Sequence, residues 1–110
     1  MNYRGTWNIY EMEMWDKDYF NMDAQAYIKI DSNNHGDFKF GLVTGNIDGN
    51  VVDYIDGKRF EFTWKGFDEC DPAYGSGWIK IKEKGILEGE FRIYDGDSSL
   101  FYARKVKEKN

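Results

Sequence analysis

Carboxylates, aromatic rings and one thiol are the groups in this chain whose types and spacing could do chemistry. Acids gather in three stretches: Asp16, Asp18 and Asp23 in "MWDKDYFNMD", Asp68, Glu69 and Asp71 in "KGFDECDPAYGSG", and Asp95 and Asp97 in "DGDSS". Trp15, Tyr19, Phe67 and Tyr74 are interleaved with the first two. Carboxylates beside aromatic faces can attract a basic partner or a cationic ligand, or hold a hard cation through oxygen. A pair such as Asp16 with Asp68 or Glu69 could exchange protons with a substrate if Trp15 or Phe67 removed one of them from water. The competing reading is that Asp forms turns and that solvated carboxylates keep a small protein in solution.

Other chemistry is scarce. Cys70 stands between Glu69 and Asp71, which repel the thiolate an attack needs, so it reads as a partly buried small side chain. The one histidine, His35, belongs to "DSNNHGD" at 31–37 and falls at the opposite end of the fold from Cys70, which argues against a Cys–His nucleophile. That segment begins like an EF-hand loop with Asp31, Asn33 and Gly36. His35 at the fifth position and Leu42 at the twelfth break the pattern, so it reads as a hairpin turn. The spacing assigns no catalytic residue, no metal ligand and no cofactor.

The elements that must position these groups are strands. Apolar and polar residues alternate at period two between short Gly, Asp and Asn clusters, and helical periodicity is nearly absent. The pattern predicts strands at about 6–13, 26–30, 38–43, within 47–55, and at 59–64, 78–82, 86–94 and 100–106. The turn before the fourth strand is either Thr44-Gly45-Asn46 or Asp48-Gly49, and Asp56-Gly57 marks the next hairpin. Residues 14–24 and 65–77 are left as long loops, the first with room for a short helical lid capped by Asp16 or Asp18. The fold class expected is all-β: an antiparallel up-and-down meander of eight strands, one domain, closed into a barrel that leaves no exposed edge.

A meander alternates its connections between two ends, so both long loops and the "DGDSS" turn share one mouth. The expected site is therefore Trp15, Asp16, Asp18, Tyr19, Phe67, Asp68, Glu69, Asp71 and Tyr74, with Asp23, Asp95 and Asp97 nearby. Phe38, Phe40, Phe60, Phe62 and Trp64 should fill the interior, helped by Ile28, Ile30, Ile79, Ile81, Leu87, Phe91 and Ile93, leaving any pocket shallow and at the mouth. If Ile79 and Ile81 face inward, Trp78 faces outward beside Lys80 and Lys82.

Gly5-x-Trp7 at the start of the first strand and Arg104 near the end of the last resemble the signature of the lipocalin-like, or calycin, barrels. That resemblance implies that Arg104 packs over Trp7 at the closed end. The chain departs from true lipocalins in having no signal peptide, no disulfide cysteines and no helix after the barrel, which argues against secreted transport of apolar ligands. "EMEMWDKDYFNM", "FEFTWKGFDECDP" and "GSGWIKI" also resemble a group of short bacterial proteins of unknown function.

Composition narrows the classes. The chain has 110 residues, 18% of them aromatic, and a formal charge of -5, which opposes a phosphate backbone. Its basic cluster of Arg104, Lys105, Lys107 and Lys109 reads as a solvated tail, so no nucleic-acid role is expected. A lone cysteine and the lack of an apolar run of the ~20 residues a span requires suggest a cytoplasmic address and no membrane association. Three function classes follow: a binding module for a small molecule or cation, an acidic surface for a basic protein partner, and an enzyme using a mouth carboxylate pair.

Overall fold

The computed structural model describes residues 3–107. Its strands are β1 (Gly5–Met12), β2 (Tyr27–Ile30), β3 (His35–Phe40), β4 (Val43–Tyr54), β5 (Gly57–Asp68), β6 (Asp71–Glu83), β7 (Ile86–Ile93) and β8 (Ser98–Lys105). Each is antiparallel to the next, and β8 pairs with β1, so the sheet closes on itself as the alternating pattern predicts. One short helix, α1 (Lys17–Phe20), lies in the β1–β2 connection, where the lid was expected.

The interior is filled by rings. Phe38, Phe40, Phe60, Phe62 and Trp64 are all buried, together with Phe20, Phe91 and Phe101. Phe91 is central: its ring centroid lies 4.6 Å from Phe38, 5.1 Å from Phe40 and 4.5 Å from Phe101. Rings of this size fit because inward positions on neighbouring strands are glycines. A Cβ at Gly45 would come within 2.8 Å of both Phe38 and Trp64, and one at Gly77 or Gly89 within 2.7 Å of Phe62 or Phe101.

Those glycines correct the expected boundaries. Neither Thr44–Asn46 nor Asp48-Gly49 is a turn; both lie inside β4, with Gly45, Ile47 and Gly49 all facing inward. The β3–β4 turn is Gly41-Leu42, where Gly41 has φ +59° and Tyr19 lies so close that a side chain would collide with its ring. Leu42 therefore lies in the turn and not in the strand expected at 38–43. Residues 65–77 are not a long loop either. β5 runs to Asp68 and β6 begins at Asp71, with Glu69-Cys70 as the whole turn, Glu69 at φ +60°. Cys70 sits at that tip and is exposed, not partly buried.

The closed end corrects the resemblance. Trp7 is buried and its indole N–H donates to the Tyr3 carbonyl at 2.9 Å, but the cation over its ring is Lys105, with Nζ 4.9 Å from the centroid. Register explains the exchange: Trp7 is opposite Lys105, whereas Arg104 is opposite the outward-facing Asn8 and lies 4.3 Å over Tyr10 on the outer wall. Gly5, at φ +126°, leaves the space that Lys105 fills, and Lys105 Nζ donates to the Arg4 carbonyl at 2.6 Å. Lys105 is thus part of the closure and not a solvated tail; Lys109 lies outside the described residues.

On β2, burial first and then the Asp37 carboxylate, which accepts from the hydroxyl, push the Tyr27 phenol up to about 12 from 10.0. A folded pKa raised above the unfolded one gives stability that is whole below pH 10.0 and is lost as pH rises through about 12. Urea midpoints are therefore expected to fall across that interval, and Tyr27→Phe to flatten part of the fall. Tyr3, raised mainly by burial, leaves a residual slope. A Tyr27→Phe profile parallel to the parent's from neutral to alkaline pH would show that Tyr27 is solvated.

Candidate functional site

Even-numbered connections and odd-numbered connections fall at opposite ends of the barrel, so β1–β2, β3–β4, β5–β6 and β7–β8 meet at one mouth. The β1–β2 segment is tied there by its own chemistry. Asp16 caps α1, its Oδ1 accepting from the Tyr19 amide at 3.1 Å, and Phe20 at the end of the helix is buried. The Gly41 amide donates to the Phe20 carbonyl at 2.9 Å, and the Met14 amide donates to the buried Ser99 Oγ at 3.1 Å. Trp15 lies 5.2 Å from Phe40 and 5.9 Å from Tyr19, so the aromatic run closes the top of the ring-filled core. The lid is a plug.

What remains open above it is a hollow of about 430 Å³ lined by Met14, Trp15, Asp16, Tyr19, Val43, Asp68, Ile93, Gly96 and Asp97. Four residues expected in the site, Trp15, Asp16, Tyr19 and Asp68, are brought together here. Asp97 joins them from the β7–β8 turn, where Asp95 takes φ +59°. The other five stand apart. Asp18 is exposed on α1, Glu69 and Asp71 are exposed at the β5–β6 tip, and Phe67 is an outward residue of β5, 51% exposed. Tyr74 is on the outer wall, stacked on Tyr94 at 4.8 Å. Asp23 is held by Lys39 at 2.6 Å.

Asp16, Asp68 and Asp97 are all exposed. Acid–base work by a carboxylate pair needs one member held out of water, and the mouth does not provide that. Nor is a hard cation clasped: among the described residues no three His, Cys, Asp or Glu side chains are placed to share a metal ion. At the far end, His35 Nε2 is 3.4 Å from Asp48 Oδ1, so the imidazole is remote from Cys70 at the opposite tip.

The outer wall holds the residues that sequence reasoning placed without a role. Trp78 does face outward, but its neighbour is Arg59, whose guanidinium lies between Trp78 and Tyr54 at 4.6 and 4.7 Å. The Trp78 indole N–H donates to Glu90 at 3.2 Å, and Glu90 holds Arg92 at 2.7 Å. The Tyr54 hydroxyl donates to Glu61, which raises its pKa. Lys80, 2.8 Å from Asp56, holds that carboxyl below the ordinary range.

Fold and site together define a closed eight-stranded antiparallel barrel with a plugged mouth, consistent with a lipocalin-like fold. No known protein-family model matches the chain, and no curated protein matches it. Among the described residues no helix is long and apolar enough to cross a membrane.

Proposed function

We propose that the protein is a small binding module whose mouth takes an organic cation. One observation carries this: Trp15 and Tyr19 share a hollow of about 430 Å³ with Asp16, Asp68 and Asp97. Aromatic faces attract an ammonium group by about 0.5–1 kcal/mol at exposed sites and ~2 kcal/mol when it is desolvated. Carboxylates that line one hollow yet cannot share a metal ion suit a ligand with size of its own, such as a polyamine or a quaternary amine. The formal charge of -5 steers such a ligand towards the protein.

The test is titration of the labelled protein with spermidine and with tetramethylammonium, followed by amide shifts around the mouth. Replacing Asp16, Asp68 and Asp97 together by Asn should weaken spermidine binding by about tenfold or more at low salt, and less where salt already screens the charges. Asn keeps the α1 cap, so the fold is expected to survive. Binding equal to that of the parent at every ionic strength would make the acids a solubility feature only. A second reading, the same acidic surface docked against a basic protein, is favoured by Met14, which is 50% exposed at the rim. That reading predicts binding of basic peptides with no response to the small amines.

A further inference from the structure

The outer wall of the barrel carries a groove distinct from the mouth. It follows the cross-strand row Ile47, Trp64, Gly75 and Ile93, whose outward-facing neighbours on β4 to β7 wall it. This part measures about 820 Å³ and continues into a hollow of about 480 Å³ over the next row, Gly49, Phe62 and Gly77. Asp48, Thr63, Ser76 and Arg92 line both parts, so the two form one trough. Twisted strands give a barrel a hyperboloid waist, and the saddle-shaped wall there is concave along the barrel axis.

Aromatic side chains stand at both ends of the trough, exposed at one and covered by Arg59 at the other. At one end Tyr74 and Tyr94 stack with an interplanar angle of 16° and are 53% and 63% exposed. At the other end Trp78 is held in place by Arg59 and Glu90. Tyr74 and Trp78 are four residues apart on β6, roughly 13 Å along the strand. Between and beside them, Asn46, Thr63, Lys65 and Ser76 make no side-chain hydrogen bond or ion pair among the described residues. Arg59 Nε is buried and also has no partner.

Charge decides what fits. Arg92 is paired with Glu90 at 2.7 Å and Arg59 is 3.7 Å from Asp56, and the remaining charges of the walls, Lys65 with Asp48 and Glu61, are of both signs. The trough therefore carries little net charge to hold an ion, and a chain of charge -5 repels a polyanion. Nucleic acid would find the rings but not the positive groove it needs. A basic peptide would find Asp48 and Glu61 but would be opposed by Lys65, Arg59 and Arg92 in the same walls. A sugar ring presents a flat face of C–H bonds for stacking and hydroxyls that both donate and accept, which matches the exposed Tyr74–Tyr94 stack flanked by uncharged and mixed polar groups.

We propose that this trough binds a neutral oligosaccharide, one ring stacking on the Tyr74–Tyr94 pair, the chain running towards the edge of Trp78, and its hydroxyls bonding Asn46, Thr63, Lys65 and Ser76. The test titrates the isotope-labelled chain with cellotriose, maltotriose, xylotriose and chitotriose. At least one is expected to shift the amides of Thr63, Ser76 and Tyr94, with affinity changing less than about twofold between low and high salt, as screening of a neutral ligand requires. Tyr94→Ala should weaken that binding by roughly tenfold and Asn46→Ala by about fivefold. Asp68→Asn, at the mouth, should leave it unchanged. The proposal is overturned if none of the four sugars moves those amides. It is equally overturned if Tyr94→Ala binds as the parent does, or if only an oligothymidylate binds there with steep salt dependence.

Discussion

Trp7→Ala is expected to lower the stability of the protein by about 3–5 kcal/mol, measured by urea unfolding at neutral pH. Trp7 is 2% exposed and closes the end of the barrel opposite the mouth. Truncation removes its contacts with the core, leaves the Tyr3 carbonyl without the indole donor, and deprives Lys105 of the face it covers. The cation adds a sharper comparison. Lys105→Gln should cost about 1 kcal/mol, the worth of a cation over an aromatic face with one hydrogen bond. Arg104→Gln should cost less than about 0.5 kcal/mol, as expected for a surface position. If Arg104→Gln proves the costlier of the two, the register of β1 against β8 is not the one described.

Phe91→Ala should be as damaging, at about 3–5 kcal/mol, because the ring packs against Phe38, Phe40, Phe62 and Phe101 and its removal leaves a cavity in a close-packed interior. Phe91→Leu, which keeps most of the volume, should cost less than about 1.5 kcal/mol. A loss below about 1 kcal/mol for the alanine variant would mean that the interior is loose enough to admit a ligand. The mouth would then become an entrance and not a plug.

The strands with uninterrupted alternation were legible in the sequence. "RFEFTW" and "ILEGEFRIY" place Phe60, Phe62, Trp64 and Phe91 inward by period two alone, and parity brings the odd connections to one end. Glycine misled the reading elsewhere. In "TGNIDGN" and "AYGSGW" it signals turns by composition, yet Gly45, Gly49, Gly75 and Gly77 continue the inward period of Ile47 and Ile79. They are small because backbone carbonyls and rings of adjacent strands occupy their space, a requirement that exists only between strands. Glycines in step with an apolar alternation, as at 45, 47 and 49 or 75, 77 and 79, were the available signal. The same misreading displaced the candidate site, since Phe67 and Tyr74 belong to strands and face the outer wall. Asp16, Trp15 and Tyr19 were found because a cap and an aromatic pair are local features. The trough between Tyr74 and Trp78 was not legible, because it depends on the register of four strands.

The pairing of β1 with β8 has a mechanical consequence. It is the one seam that joins the two ends of the meander, and it carries an irregularity between Ile9 and Glu11. Gly5 and Lys105 lie at the same end of that seam, next to each other across it. A load drawing those two points apart acts on the ladder one rung at a time, as a zip is opened, instead of shearing all rungs at once. The barrel is therefore expected to yield to traction at low force by peeling β1 from β8, and the first ring this uncovers is Trp7, opposite Lys105 at the rung where the load acts.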